Sequence, residues 1–299
     1  MGAGHPPVCF MKLQGNKVII TGCSRGLGVA VAEAMWREGA DLLLVARSGA
    51  ALCEVRDRLA GSATAQQAHA FPADLGDPAA PQAVLAEARR LWSRVDILVN
   101  NAGTIGPIGM VADNDWSEWR NSVQLNLLAP AELCKLAVDW MREAGVGGSI
   151  VNLSGGGATT PRPCFSAYAT AKCALVRFSE TIAAEVANLG IRVNCIAPGA
   201  MNTAMMQETL RAGADRVGAT EYERVRKLVA GGASDARLAA ELIVYLASEE
   251  STGITGKLIS AVWDPWRTLH DHVEDLRNTD VYTLRRIVPE ERGKAWGGA

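Results

Sequence analysis

The feature that most constrains this chain is an alternation that begins at Lys17. Short runs rich in leucine and β-branched residues, "KVIIT", "DLLLVA", "AHAF", "DILVN", "SIVNL", "IRVNCIA" and "KLISAV", are separated by longer stretches of helical pattern. Runs that are apolar at nearly every position suit strands buried on both faces, as in a parallel sheet. Helices expected near 28–38, 50–59, 79–92, 115–144, 166–188 and 235–248 supply right-handed crossovers that cover both faces. The expected fold is therefore α/β: a Rossmann-type, doubly wound parallel sheet. Two segments break the rhythm, a loop of mixed composition at about 200–234 and a charged tail after Asp264. We read 1–264 as a single domain containing that loop, and 265–299 as a C-terminal extension.

A chain of 299 residues with 48% apolar and 21% charged residues can bury one large core. Its net charge of -2, with both signs mixed along the chain, gives no electrostatic reason to expect nucleic acid or an anionic membrane as partner. Seven cysteines without a Cys-x-x-Cys pair or a Cys/His cluster suit reduced thiols and imply no metal site. The opening "MGAGHPPVCFMKLQG" has no basic stretch followed by an apolar run, and no segment approaches the roughly 20 apolar residues of a membrane span. The expected location is the cytoplasm.

Glycines at 22, 26 and 28 in "TGCSRGLG" fall between the first strand and the first helix, where missing side chains allow a tight turn and close approach of a pyrophosphate to a helix N-terminus. The spacing is G-x-x-x-G-x-G, which alone fits a purely structural turn as well as a cofactor turn. The second strand ends in Ala46-Arg47, where an NAD site would place a carboxylate for the ribose 2'-hydroxyl. Arg47, with Arg25, can instead fork onto a 2'-phosphate, which favours NADPH/NADP+ over NADH; two solvated arginines are the alternative.

Together these residues resemble the short-chain dehydrogenase/reductase family, and the resemblance runs from about Lys12 to Val262. "TGCSRGLG" looks like that family's cofactor turn, Asp74 in "PADLGD" like its adenine contact, and "NNAG", from Asn100 to Gly103, like the segment after its fourth strand. Asn126 in "VQLNLLAP", Tyr168 and Lys172 in "YATAK", and "APGAMNT" with Thr203 follow in the family's order. The resemblance implies a cofactor set of Gly22, Ser24, Arg25, Gly26, Leu27, Gly28, Arg47, Ser48, Asp74, Leu75, Asn101, Ala102, Gly103, Pro198, Gly199 and Thr203, with Tyr168 and Lys172. The implied catalytic set is Tyr168, Lys172, Asn126 and Ser154, and the implied chemistry is hydride exchange between a nicotinamide and a carbon bearing hydroxyl or carbonyl.

On one helix Tyr168 and Lys172 stack at i and i+4. A lysine cation beside the phenol is expected to lower the tyrosine pKa from about 10 toward the working range. Tyr168 can then exchange a proton with the substrate oxygen. The resemblance adds Lys172 as a holder of the nicotinamide ribose and Asn126 as a partner in holding a water on the proton path.

In the family a serine commonly lies thirteen residues before the tyrosine; here that position is Gly155, with Ser154 one place early and Gly156 and Gly157 behind it. The loop could turn Ser154, or its own amides, toward the substrate oxygen. Losing one oxyanion donor typically costs about 10²- to 10³-fold, which slows an enzyme without abolishing it, so a working ketoreductase with a modified pocket is expected. An epimerase or dehydratase on the same scaffold, and an NADP(H)-sensing binding protein, remain as alternatives.

Trp263 and Trp266 in "SAVWDPWRTLHDH" stand where relatives often turn through Asp-Gly-Gly. They are expected to reshape the pocket rim, with Asp264, His270, Asp271, Glu274 and Asp275 available to bind hydroxyl or ammonium groups, although core packing for Trp263 and a solvated acidic tail explain them equally well. "LSGGGAT" with "LISAVWD" is similar to a subgroup from bacterial sugar and aminosugar biosynthesis, which implies a sugar-like or aminocyclitol-like ketone and a role such as aminoglycoside biosynthesis. Helices around "WMREA" and "SAYATAK" resemble the pair through which relatives form a homodimer or homotetramer. The tail can dock on its own subunit or on a neighbour.

Overall fold

The computed structural model describes residues 11–61 and 65–296; the opening segment up to residue 10, including Cys9, and the last three residues lie outside them. Seven parallel strands, β1 (Lys17–Thr21), β2 (Asp41–Ala46), β3 (Ala68–Pro72), β4 (Ile97–Asn100), β5 (Gly148–Leu153), β6 (Ile191–Ala197) and β7 (Leu258–Ser260), form one sheet in the order β3-β2-β1-β4-β5-β6-β7. The alternation of side chains divides the core in two: Val18 and Ile20 of β1 join the apolar cluster on one face, and Ile19 joins the other. Helices α1 (Leu27–Arg37), α2 (Gly49–Ala60) and α10 (Ala236–Ala247) cover the first face. The second is covered by α3 (Ala80–Leu91), α5 (Ala129–Ala144) and α6 (Ser166–Glu185).

The long helix expected at 115–144 is broken. Asp115 caps α4 (Trp116–Val123) by accepting from Glu118 N at 2.9 Å, and a π-helical turn over Gln124–Leu128 precedes α5. The segment at 200–234 is more regular than its composition suggests, forming α7 (Ala204–Ala212), α8 (Ala214–Val217) and α9 (Ala219–Lys227). Gly213 and Gly218 separate these helices at φ of 80° and 87°, angles that other residues rarely adopt.

The extension docks on its own chain. Leu258 N on the open edge of β7 donates to Tyr282 O at 2.8 Å, so the tail covers a sheet edge that would otherwise be unpaired. The buried Lys257 ammonium donates to Thr279 O and Val281 O at 3.0 and 2.9 Å, and Leu284 N donates to Glu180 Oε1 at 2.7 Å. Trp266, Leu269 and Leu276 (in α11, Val273–Asn278) are buried. At about 1.5–3 kcal/mol for each large apolar side chain buried, these three alone approach the whole stability margin of a typical domain. Deleting 265–299 is therefore expected to lower the urea midpoint sharply; a midpoint within error of the full chain would contradict this account of the tail.

Candidate active site

The expected site residues lie at the C-terminal ends of strands or in the turns and helices that follow them, Ser24 to Gly28 in the turn after β1 and the start of α1. Between β1 and β4 the strand order reverses, and this opens the crevice where α/β sheets bind ligands. The glycine turn is sterically exacting. A Cβ at Gly28 would sit 2.1 Å from Gly22 O, and one at Gly22 would sit 2.8 Å from Asn101 Nδ2. Asn101 secures the turn by donating through Nδ2 to Thr21 O at 2.9 Å and Gly22 O at 3.2 Å, while Asn101 N and Ala102 N both donate to Thr21 Oγ1 at 3.0 Å. Gly26, the cap of α1, has no side chain to satisfy the first amides, which leaves donors of the kind that bind phosphate.

Around this turn Leu27 is buried and Ser24 half-buried, while Arg25 and Arg47 are exposed and form no ion pair among the described residues. Ser48 caps α2 through Ala51 N at 3.3 Å. Exposed Asp74 turns its carboxylate onto Gly76 N at 3.0 Å, with Leu75 buried beside it. Two free guanidinium groups at the ends of β1 and β2, beside an uncapped helix N-terminus, fit the phosphates of NADP(H). At the end of β6, Pro198 is half-buried and Gly199 (φ 88°) leads to Thr203, which stands at the cap of α7.

Tyr168 and Lys172 both project from the buried face of α6. A polar ladder beneath them ties α6 to the sheet: Asn100 Nδ2 donates to Asn152 Oδ1, and Asn152 Nδ2 to Ser179 Oγ, each at 2.8 Å. Lys172 Nζ donates to Leu153 O at 2.7 Å and lies 5.8 Å from the centre of the Tyr168 ring. Burial pulls the lysine down to about 8. The expected electrostatics are different in detail: burial raises the Tyr168 pKa, and the one charge that draws it back is Arg162, not Lys172. The lysine cation donates to a strand carbonyl and makes no hydrogen bond to the phenol among the described residues.

Asn126, fully buried in the π-helical turn, spends its side chain on the protein. Its Oδ1 accepts from Thr104 N at 3.2 Å and its Nδ2 donates to Thr104 O and Ser122 O at 2.9 Å. It thus fixes the loop after β4 against α4, and any water it held would meet its main chain. A Cβ at Gly103 would lie 2.9 Å from Asn126 Oδ1, 3.5 Å from the Met205 methyl and 3.7 Å from Lys172 Nζ. Gly103, Asn126, Lys172 and the helix α7 therefore meet at one point.

The glycine in the serine's place faces the proton donor. A Cβ at Gly155 would lie 2.2 Å from the Tyr168 hydroxyl and 3.0 Å from its Cζ. Ser154 is buried, its N donates to Ile196 O at 2.8 Å, and its Oγ has no hydrogen-bond partner, so no bond joins it to Tyr168. Ser154 therefore makes no side-chain bond at this site, while the position thirteen residues before the tyrosine is filled by a glycine packed against the phenol.

Sequence reasoning missed Arg162, although it lies inside the glycine-to-tyrosine stretch. Its guanidinium carbon is 4.0 Å from the Phe165 ring centre and 5.7 Å from that of Tyr168, and its Nη2 pairs with Glu221 of α9 at 2.9 Å. The visible signal was an arginine six residues before the tyrosine, but its partner came from the segment read as a loop. Apolar walls complete this end of the site: Ile105, Ile108, Phe165 and Val217 cluster with Tyr168.

The rim departs from expectation. Trp263 is 84% exposed, and Trp266 is the one that packs, with its ring 5.7 Å from that of Tyr245 and its Nε1 donating to Ala261 O. Asp264 stays at the end of β7, accepting from Ser260 N at 2.6 Å. His270, Asp271, Glu274 and Asp275 do not join the site. The chain there runs back toward the N-terminal end of the sheet, where Val273 packs against Gly253 and α10 ends beside the start of β5. These four residues are a solvated tail.

A sequence model of the family described as short chain dehydrogenase matches residues 16–213. The chain is 31% identical over 257 residues to the 3-oxoacyl-(acyl-carrier-protein) reductase FabG of Escherichia coli, covering 83% of this chain and 96% of that protein. It is 34% identical over 250 residues to 3beta-hydroxysteroid dehydrogenase 1 of Eggerthella lenta, covering 82% and 91%. Among solved structures, a candidate NAD(P)-dependent gluconate 5-dehydrogenase from Beutenbergia cavernae with bound NADP at low occupancy superposes with a TM-score of 0.74 at 30% identity, covering 84% of this chain and 97% of that one. With a family model that matches about two thirds of the chain and relatives above 30% identity along most of it, the chain belongs to the short-chain dehydrogenase/reductase family.

Proposed function

We propose that the protein is an NADPH-dependent ketoreductase, reversible as an alcohol dehydrogenase, in which Tyr168 gives the proton to the carbonyl oxygen. The observation that carries this reading is the convergence of Tyr168, Lys172 and Gly103 beside a glycine turn flanked by two arginines that form no ion pair among the described residues. When bound, the reduced nicotinamide supplies the hydride. Lys172 holds its ribose, Asn126 keeps the floor of the site in register, and Arg25 and Arg47 receive the 2'-phosphate. A homodimer or homotetramer built on α5 and α6 goes with this reading.

The sugar-like or aminocyclitol-like ketone rests on the subgroup resemblance and on Trp263, since the tail acids have left the site. The apolar cluster around Tyr168 favours a ketone with a sizeable apolar face. Oxidation of NADPH and NADH by the purified protein is to be followed against keto-sugars, keto-aminocyclitols, 3-oxoacyl thioesters and keto-steroids, with cofactor binding measured in parallel. Net NADPH oxidation with one of these classes supports the reading. Substrate conversion without net oxidation points to an epimerase or dehydratase, and tight binding with no turnover points to a sensor.

Arg47→Ala is expected to weaken NADPH binding by about 10- to 100-fold, the loss of a charge-assisted hydrogen-bonded pair, and to leave NADH binding unchanged. Equal effects on both cofactors would remove Arg47 from the 2'-phosphate.

A further inference from the structure

We propose that Arg162 takes over the serine's task, its free Nη1 donating a hydrogen bond to the substrate's carbonyl oxygen beside the Tyr168 hydroxyl. This rests on the ketoreductase reading above and names a catalytic residue that neither the family motif nor the spacing in this sequence points to.

The glycine run is what brings the two groups together. The Cβ position of Gly155 faces the Tyr168 hydroxyl, and that of its neighbour Gly156 lies 3.9 Å from Arg162 Nη1. The guanidinium carbon lies 5.7 Å from the Tyr168 ring centre, so the charge and the phenol are neighbours on the side of the glycine run. At Gly157 the limit is the helix itself, since a Cβ there would meet Ala169 Cβ at 2.7 Å and Arg162 Cβ at 3.2 Å.

Arg162 is held rather than free to wander. Phe165 N donates to Arg162 O at 3.3 Å, and Cys164 has φ of 68°, so residues 162–165 make a tight turn with Pro163 and then a left-handed residue at its centre. A non-glycine residue in that conformation is costly and persists only where the surroundings demand it. The turn stacks the guanidinium on the Phe165 ring, and Glu221 of α9 accepts from Nε at 3.2 Å and from Nη2 at 2.9 Å. Nε and Nη2 are thereby engaged by Glu221, and Nη1 has no protein partner among the described residues.

The charge is right for an oxyanion. Glu221 is shared with Arg224, whose Nε and Nη2 donate to it at 2.6 and 2.7 Å, so one carboxylate serves two guanidinium groups and the cluster stays net positive. Of the other charged groups near Tyr168, Lys172 is committed to Leu153 O. As the carbonyl carbon accepts the hydride of the reduced nicotinamide, its oxygen gains negative charge and takes the Tyr168 proton. The carbonyl becomes an alcohol and the cofactor is left oxidised. Arg162 keeps its own protons throughout, and its bond to the oxygen strengthens as charge develops, which is the condition for raising kcat.

The test uses the full-length protein. Arg162→Ala is expected to lower kcat by about 10²- to 10³-fold with NADPH binding unchanged, and low concentrations of added guanidinium ion are expected to restore part of the lost rate. The ionisation of Tyr168, read as the ultraviolet difference between wild type and Tyr168→Phe, is expected to move to higher pH when Arg162 becomes Ala and to stay in place for Arg162→Lys, which keeps the charge but loses the planar fork. A kcat within a few-fold of wild type overturns the proposal, as does a loss that guanidinium does not rescue together with an unmoved phenol titration. If the wild type reduces no carbonyl, the ketoreductase reading falls by itself; the titration then decides whether Arg162 acts on Tyr168, an unmoved curve counting against it.

Discussion

Replacing Tyr168 with Phe is expected to slow reduction of a ketone substrate by about 10²- to 10⁴-fold, the usual contribution of a positioned general acid, while NADPH binding and the fold stay intact. The reason lies in how the hydroxyl is used. It makes no hydrogen bond to the protein among the described residues, so its removal strands no buried partner, and the aromatic ring keeps its packing against Ile105, Ile108 and Phe165. Burial raises the phenol's pKa, which keeps it protonated and suits it to giving a proton in the reductive direction. Retention of wild-type kcat in the variant would assign the proton to another group.

The second large effect runs against intuition. Gly155→Ser restores the family's usual residue at the usual spacing, yet it is expected to lower activity by about 10²-fold, the cost of a roughly 1 Å misplacement in a catalytic group. The new Cβ would stand 2.2 Å from the Tyr168 hydroxyl, so the phenol, the strand end or both must shift. Overpacking of this kind also costs about 1–3 kcal/mol of stability, which a urea melt of the variant reads directly. Higher activity in Gly155→Ser would mean that the glycine is a plain loss and that the serine's place was never filled. Ser154→Ala is the companion change: with its Oγ buried and without a hydrogen-bond partner, its effect on kcat is expected to stay well under tenfold, about one decade being 1.4 kcal/mol.

Much of this was legible in the chain itself. The bounds of β1 and β2 coincide with "KVIIT" and "DLLLVA", because a strand buried on both faces leaves an unbroken apolar run between polar ends. The glycine turn and the Tyr168–Lys172 pair were readable because each depends on residues close in sequence. The π-helical turn at Asn126 was not: its residues continue a helical pattern, and the extra residue in the turn is held by bonds to Thr104, in a loop from another part of the chain. Arg162 was illegible for the same reason, since its partner Glu221 comes from α9 and its aim depends on the left-handed Cys164. The acidic tail misled in the opposite sense. Closeness in sequence to the end of β7 suggested the rim, but the buried Trp266 turns the chain back along α10 and carries His270 onward to the far end of the sheet.

The most direct test of the central claim, that a family member with glycine in the serine's place still reduces a carbonyl with Tyr168 giving the proton, is the stoichiometry of a single turnover. Enzyme in excess is mixed with NADPH and the best ketone of the panel, and the nicotinamide oxidised is compared with the alcohol formed, for wild type and for Tyr168→Phe. The account predicts one alcohol for each NADPH oxidised by wild type, and slow or no conversion by the variant with its NADPH still bound. Bound NADPH that stays reduced in wild type beside every ketone of the panel, or equal rates in the two proteins, would contradict it.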